Sequence, residues 1–398
     1  MTSAEEIARH LVRFRSVTPK DDGLMAWVAS FLSDNGFAVY RHGFGEGDGR
    51  VENLYGRLQG HKEGRGGKSV FGARDFAFAG HSDVVPATET GWSHPPFAGI
   101  VESGVLYGRG AVDMKGAVAC FLSVCAAFAA TRGRDFSGSL GIFLTNDEEG
   151  EAKHGMKPLW AWAKAHGYLP ELCLLGEPSS QQKVGDSYRD RRRGSVHGFV
   201  EAWGQSGHSA YPRAGDNPLA SLVTLFHALG ETSFWHEDGL RGGDGEDVED
   251  PDVALTQLES CSSVANVTPD HARGRFNIRF ALPWQSRAIL ERVEALCEGV
   301  LGCGRYRLRT HVSSEAFRSC DRRWLPWFCD VCEGVVSMRP RQGRGGGTSD
   351  ARFMYHECSV IELGLVGKSM HRVDEHCSLE DLSVLTSLYR SLLESFFS

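Results

Sequence analysis

The sequence predicts an α/β protein built on a largely parallel sheet, with a separate α+β unit inserted into it. Two observations carry that prediction. Through the first half, apolar runs of strand length alternate with stretches of helical pattern, an order that yields parallel sheets. After Arg193 the pattern changes to period-two alternation, which suits strands with one face in water.

Residues 76–79 read as a strand, 118–130 as a helix, 140–144 as a strand, 158–165 as a helix and 172–175 as a strand. Binding sites in such sheets form beyond the carboxyl ends of the strands. Residues 195–203 (SVHGFVEAW) alternate, and Asn217-Pro218 is a helix start, asparagine as N-cap and proline at the first helical position. Leu219, Leu222, Val223, Phe226 and Leu229 then form one apolar face, and residues 276–280 alternate again. The expected division is 1–193 and 312–398 for the first domain and 194–311 for the insert. The acidic, glycine-rich stretch 237–252 and the segment 61–74 read as solvated loops, and there are no internal repeats.

A chain of 398 residues, 41% hydrophobic and 24% charged, has material for a large core. A formal charge of −8 argues against nucleic acid or an anionic membrane as partner, since both call for a basic face. The N-terminus mixes charges into its apolar residues and lacks the apolar h-region of a secretory signal, so a cytoplasmic location is expected. The longest apolar stretch, 116–130, reads as a buried helix and not a membrane span. Eleven cysteines at irregular spacing suit a reducing compartment. Cys329 and Cys332 make a CxxC with no second pair at metal-site spacing. Gly67-Lys68-Ser69 ends like a phosphate-binding loop, but Lys62 stands where that motif needs glycine.

The chemistry gathers at the ends of apolar runs. His81 and Asp83 follow the first, two apart and so on one face if the strand continues. An aspartate there can fix the tautomer of a metal-binding histidine, whereas alone the pair reads as a core histidine satisfied by a nearby acid. Asp113 follows a glycine-rich turn just before the buried helix, where it is either a ligand or an N-cap. Asp147, Glu148 and Glu149 stand side by side after residues 141–144, which calls for water or a strong positive charge to offset their repulsion. Glu177 ends the next run in LLGEP, and His371 follows a fourth run, 360–366. Two histidines and several carboxylates suit Zn²⁺, with Mn²⁺ or Co²⁺ as substitutes.

Taken in order, HSDVVP, GRGAVDMKG, NDEEG, LLGEP, RRGS, GHSAYP, NVTP, GGGTSDARF and MHRVDEH resemble the M20-type dinuclear metallohydrolases, most closely their desuccinylase branch. The resemblance implies a zinc-exopeptidase-like catalytic domain and an inserted ferredoxin-like lid and dimerisation domain. It implies two zinc ions bridged by Asp113, one completed by His81 and Glu177 and the other by Glu149 and His371. Glu148 is then the general base and Asp83 the residue that orients His81. His208 of GHSAYP would reach across a homodimer to the tetrahedral oxyanion.

Arg189, Arg192, Asn266, Arg279 and Thr348 would grip substrate carboxylates, the substrate being N-succinyl-LL-diaminopimelate. Arg189 stands where relatives carry lysine, and Arg191 replaces a glycine. Two alternatives stay open: a related enzyme acting on another N-acyl amino acid or a short peptide, and a binding protein on a hydrolase fold that has lost its chemistry.

Overall fold

The computed structural model describes residues 3–61, 74–88, 90–211, 217–235, 249–260, 264–343 and 347–398. Outside them lie Gly345 and Gly346 of GGGTSD, Pro212, Cys261, the Gly67-Lys68-Ser69 motif and most of the two expected loops. Two compact units emerge, one comprising Met1–Asp190, Ser319–Arg344 and Ser349–Ser398, the other Arg191–Arg318 and Gly345–Thr348.

The first unit carries a six-stranded sheet in the order Ala38–Phe44, Val51–Gln59, Ser139–Thr145, Asp75–His81, Leu172–Leu175, Ser359–Glu362. The first two strands form an antiparallel hairpin at one edge and join Ser139–Thr145 antiparallel; the last four run parallel to one another. Three of these parallel strands are buried along their whole length. Both faces are covered, which is why their sequences are continuously apolar and do not alternate. On one face Phe78 stacks on Phe121 of the helix Lys115–Arg132 at 4.3 Å and meets Tyr389 of the helix Leu379–Phe396 at 5.8 Å. On the other, Phe143 packs against Tyr55 at 4.5 Å and against Trp160 of the helix Met156–Ala165 at 5.1 Å.

Helix Lys115–Arg132 is long and apolar enough to cross a bilayer, yet most of it is buried at the centre of this core. Cys329 and Cys332 lie one turn apart in the helix Leu325–Val336, both buried and both free thiols. Burial pushes both thiols up, which disfavours the thiolate that redox or metal chemistry would need.

The second unit has a four-stranded antiparallel sheet in the order Asp252–Ser260, His271–Phe280, Gly194–Trp203, Tyr306–Ser314. With the helices Pro218–Gly230 and Ser286–Leu301 the chain runs β-α-β-β-α-β, the ferredoxin-like arrangement. Val196, Val200, Phe276 and Ile278 point to the helices, while the residues between them point away. Asn217 caps its helix as expected, its side chain accepting from the Leu219 and Ala220 amides at 3.1 and 3.3 Å. The apolar face differs in one member. Leu225 is buried with Leu222, Phe226 and Leu229, whereas Val223 is 51% exposed, because one residue past Leu222 turns it about 100° away from the core.

Candidate metal centre

The four parallel strands end on one rim of the sheet. His81 is the last residue of its strand and pairs with Thr145, while Leu175 pairs with Ala79, so Glu177 emerges level with His81. The loop after Thr145 carries the three adjacent acids. Asp147 turns away from the rim, and its carboxylate accepts the amides of Ala152 at 3.1 Å and His154 at 2.9 Å, which folds the loop back. Glu148 and Glu149 are left facing the cluster.

Asp113 sits at the centre. It does not cap the following helix, whose N-cap position is Met114. One carboxylate oxygen, Oδ1, lies 3.1 Å from His81 Nε2, and the other, Oδ2, lies 3.1 Å from His371 Nε2. Glu177 Oε1 is 3.8 Å from the same nitrogen of His81, and Glu149 Oε1 is 2.7 Å from His371 Nε2. Two imidazole-carboxylate groups therefore share one aspartate. Donor atoms of His81, Asp113 and Glu149 lie within 4.8 Å of one another, as do those of His81, Glu148 and Glu177. Zinc ligands sit about 2.0–2.2 Å from the ion, so donors on opposite sides of one are about 4 Å apart and the set fits a small divalent cation.

Asp83 organises this cluster from behind. Its backbone carbonyl lies 3.0 Å from His81 Nδ1, which directs Nε2 to Asp113. Its carboxylate, fully buried, accepts the amides of Glu148 at 3.3 Å and Glu149 at 3.0 Å. One side chain thus fixes the loop that carries two expected functional acids.

The electrostatics are those of a site short of positive charge. Burial pushes the Glu148 carboxyl well above its usual range, with Glu177 adding to the effect. Hydrogen bonds that His371 donates to Asp113 and Glu149 raise it to about 10. Burial would lower the His81 imidazole, but Asp113 and Asp83 outweigh it and hold it well above normal. Burial would raise Asp113, but hydrogen bonds from His371 and His81 hold it well below the carboxylate range. Protons here take the place that cations would fill.

Of the remaining expected residues, Arg189 donates to the Pro178 carbonyl at 2.7 Å and lies 4.0 Å from Glu362, so its guanidinium contacts the chain next to Glu177. In the second unit Arg192 is buried and donates to the Gly347 carbonyl at 3.2 Å, beside Thr348. Arg279 is half-buried and bonds Asn277 at 2.9 Å. His208 belongs to a small ladder, Gly207–His208 against Val267–Thr268, and Asn266 just precedes the second strand, its carbonyl accepting the Ser209 amide.

Two residues near the metal cluster escaped the sequence reading. Asp350 is 1% exposed with no hydrogen-bond partner on either carboxylate oxygen among the described residues, and its charge reaches Glu148. Glu375 is fully buried against the amides of Val112 and Asp113. Both stand within quoted motifs, GGGTSD and MHRVDEH, but nothing local distinguishes them from surface acids.

A rim of imidazoles and carboxylates at the carboxyl ends of a doubly covered, mainly parallel sheet defines a metal-dependent hydrolase of the α/β type. A model of peptidase family M20/M25/M40 matches residues 77–395, and the chain belongs to that family. It is 38% identical over 395 residues to a succinyl-diaminopimelate desuccinylase of Methylorubrum extorquens, covering 98% of each chain. To that of Rhodopseudomonas palustris it is 37% identical over 409 residues, covering 100% of this chain and 99% of the relative. Among solved structures, the M20 family metallo-carboxypeptidase Sso-CP2 from Sulfolobus solfataricus superposes with a TM-score of 0.74 at 12% identity, covering 100% and 99% of the two chains. The Bacillus subtilis YXEP protein, described as a dinuclear metal binding peptidase from the M20 family, gives 0.71 at 12% identity, covering 99% and 97%.

Proposed function

We propose that the protein hydrolyses the amide bond of N-succinyl-LL-2,6-diaminopimelate to succinate and LL-2,6-diaminopimelate. The observation that carries this is the identity of 37–38% to succinyl-diaminopimelate desuccinylases along essentially the whole chain, with every expected metal-centre residue filled. His81, Asp113 and Glu177 would hold one divalent ion, and Asp113, Glu149 and His371 a second, zinc suiting the mixed nitrogen and oxygen donors. Bound zinc polarises a carbonyl and lowers the pKa of water from roughly 15.7 to about 7.

The chain's own residues supply the proton traffic. As the new C–O bond forms at the amide carbon, Glu148 takes the proton from the attacking water at its carboxylate. It returns that proton to the amine nitrogen as the C–N bond breaks. The burial that raises its proton affinity poises it to hold the proton in between. Asp83 keeps the base in place through the Glu148 amide. Arg189, Arg192, Arg279, Asn266 and Thr348 are the proposed carboxylate contacts, Arg189 also supporting the Glu177 turn, and His208 serves the oxyanion across a homodimer made through the inserted unit. The proposed location is the cytoplasm.

Purified protein supplied with zinc and N-succinyl-LL-diaminopimelate should release one succinate per amine. Release from N-acetylornithine or dipeptides at higher kcat/KM would transfer the reading to a neighbouring substrate class. No turnover of any amide in the panel would sink it.

A further inference from the structure

From the geometry behind Asp113 we infer that Glu375, with Arg109, is a positioning residue that pre-forms the second metal position. The inference rests on the two-ion reading above. Glu375 Oε1 accepts the backbone amides of Val112 at 3.0 Å and Asp113 at 3.1 Å, and Oε2 accepts from Arg109 Nη1 at 2.6 Å. The Glu375 carbonyl also accepts the Gly108 amide at 2.9 Å. Glu375 has no exposed surface and Arg109 only 4%, so this is a desolvated charge pair, in which Arg109 Nε has no hydrogen-bond partner among the described residues.

Its place in the chain gives it meaning. Glu375 lies four residues beyond His371, so one short loop touches Asp113 twice: His371 meets the carboxylate and Glu375 holds the amide. That loop is strained, since His371 and Asp374 adopt left-handed φ values of 61° and 56° without being glycine. Such backbone persists only where its surroundings over-determine it. Asp374 is tied by the Ser93 amide at 2.7 Å and hydroxyl at 2.9 Å, and Arg109 donates to the Arg372 carbonyl at 3.3 Å. Remove the Glu375 carboxylate, and the Asp113 turn and the His371 loop lose their common anchor. The His81 and Glu177 side, fixed by strand ends and by Asp83, keeps its own.

The test is zinc titration of metal-free Glu375→Gln and, as a milder change, Arg109→Lys, with stoichiometry and affinity read by calorimetry and folding by circular dichroism. One of the two binding steps should stay within about twofold of the parent, while the other loses about 10–100-fold in affinity, the range for residues that orient ligands. Circular dichroism spectra of the metal-free forms should match the parent. Both ions binding as in the parent would overturn the inference, even if succinate release stands. Equal weakening of both ions in Arg109→Lys, the variant least prone to misfold, would also overturn it. Selective loss of one ion in a protein that releases no succinate would leave the inference standing and the substrate reading fallen.

Discussion

Asp83 accepts the Glu149 amide at 3.0 Å while its backbone carbonyl faces His81 Nδ1 at the same distance. A single buried residue thereby joins two strand ends that are 64 positions apart in the chain at their pair His81 and Thr145. The Asp83 backbone carbonyl faces His81, and its carboxylate holds the Glu148–Glu149 loop. Asp83→Ala should lower zinc affinity about 10–100-fold and kcat at saturating zinc as well. Zinc affinity and kcat both unchanged would mean that the loop does not depend on this side chain.

With Glu148 as the proposed base, Glu148→Gln, which keeps the shape and removes the base, should lower kcat by about 10²–10⁴-fold. KM and bound zinc should change little, because Glu148 is not among the proposed ligands. Turnover measured alongside metal analysis checks both halves, and unchanged turnover rejects the assignment.

The metal-free protein should lose stability as pH rises from 5 to 9. His371 titrates near 10, above its ordinary 6.5, so the stability it contributes is whole below pH 6.5 and is lost on the way to 10. Burial pushes Asp350 to about 7 and Asp83 to about 6, so their contributions are whole below the ordinary 3.8 and fade as pH rises through those values. Asp113, held low, acts only below about pH 4 and does not oppose this trend. Thermal melts of chelator-treated protein should show Tm falling with pH, less steeply between pH 4 and 7 in Asp350→Asn. Zinc affinity should rise over the same range, because the ion displaces protons. A metal-free Tm that climbs from pH 5 to 9 contradicts the account.

Phe121, in the helix that follows Asp113, has no exposed surface and stacks on Phe78. Phe121→Ala should cost about 3–5 kcal/mol of folding stability, read by denaturant unfolding. Zinc stoichiometry at low temperature should survive, since the side chain supports the helix and not the ligands.

The fold was legible where burial on both faces wrote itself as continuous apolar runs, as at residues 140–144 and 172–175, and where a cap had its own chemistry, as at Asn217-Pro218. His81, Glu149 and Glu177 stand just beyond such runs, whereas Asp113 follows a glycine-rich turn and was singled out only by the order of the motifs. What escaped depends on tertiary burial. Glu375 and Asp350 look like surface acids until the loops that bury them are folded, and Asp147 is told apart from its two acidic neighbours only when its carboxylate is seen taking the Ala152 and His154 amides. Val223 was misplaced because Leu222 and Val223 fit an apolar stripe equally well in sequence, and only the packed helix chooses between them.

The central claim is that adjacent acids and two histidines surround a pair of cations bridged by Asp113. Anomalous diffraction at the zinc edge from crystals grown with zinc measures this directly. The account predicts two peaks flanking the Asp113 carboxylate, one beside His81 and Glu177 and one beside Glu149 and His371. Zinc bound elsewhere, with those five side chains free of it, would contradict the account.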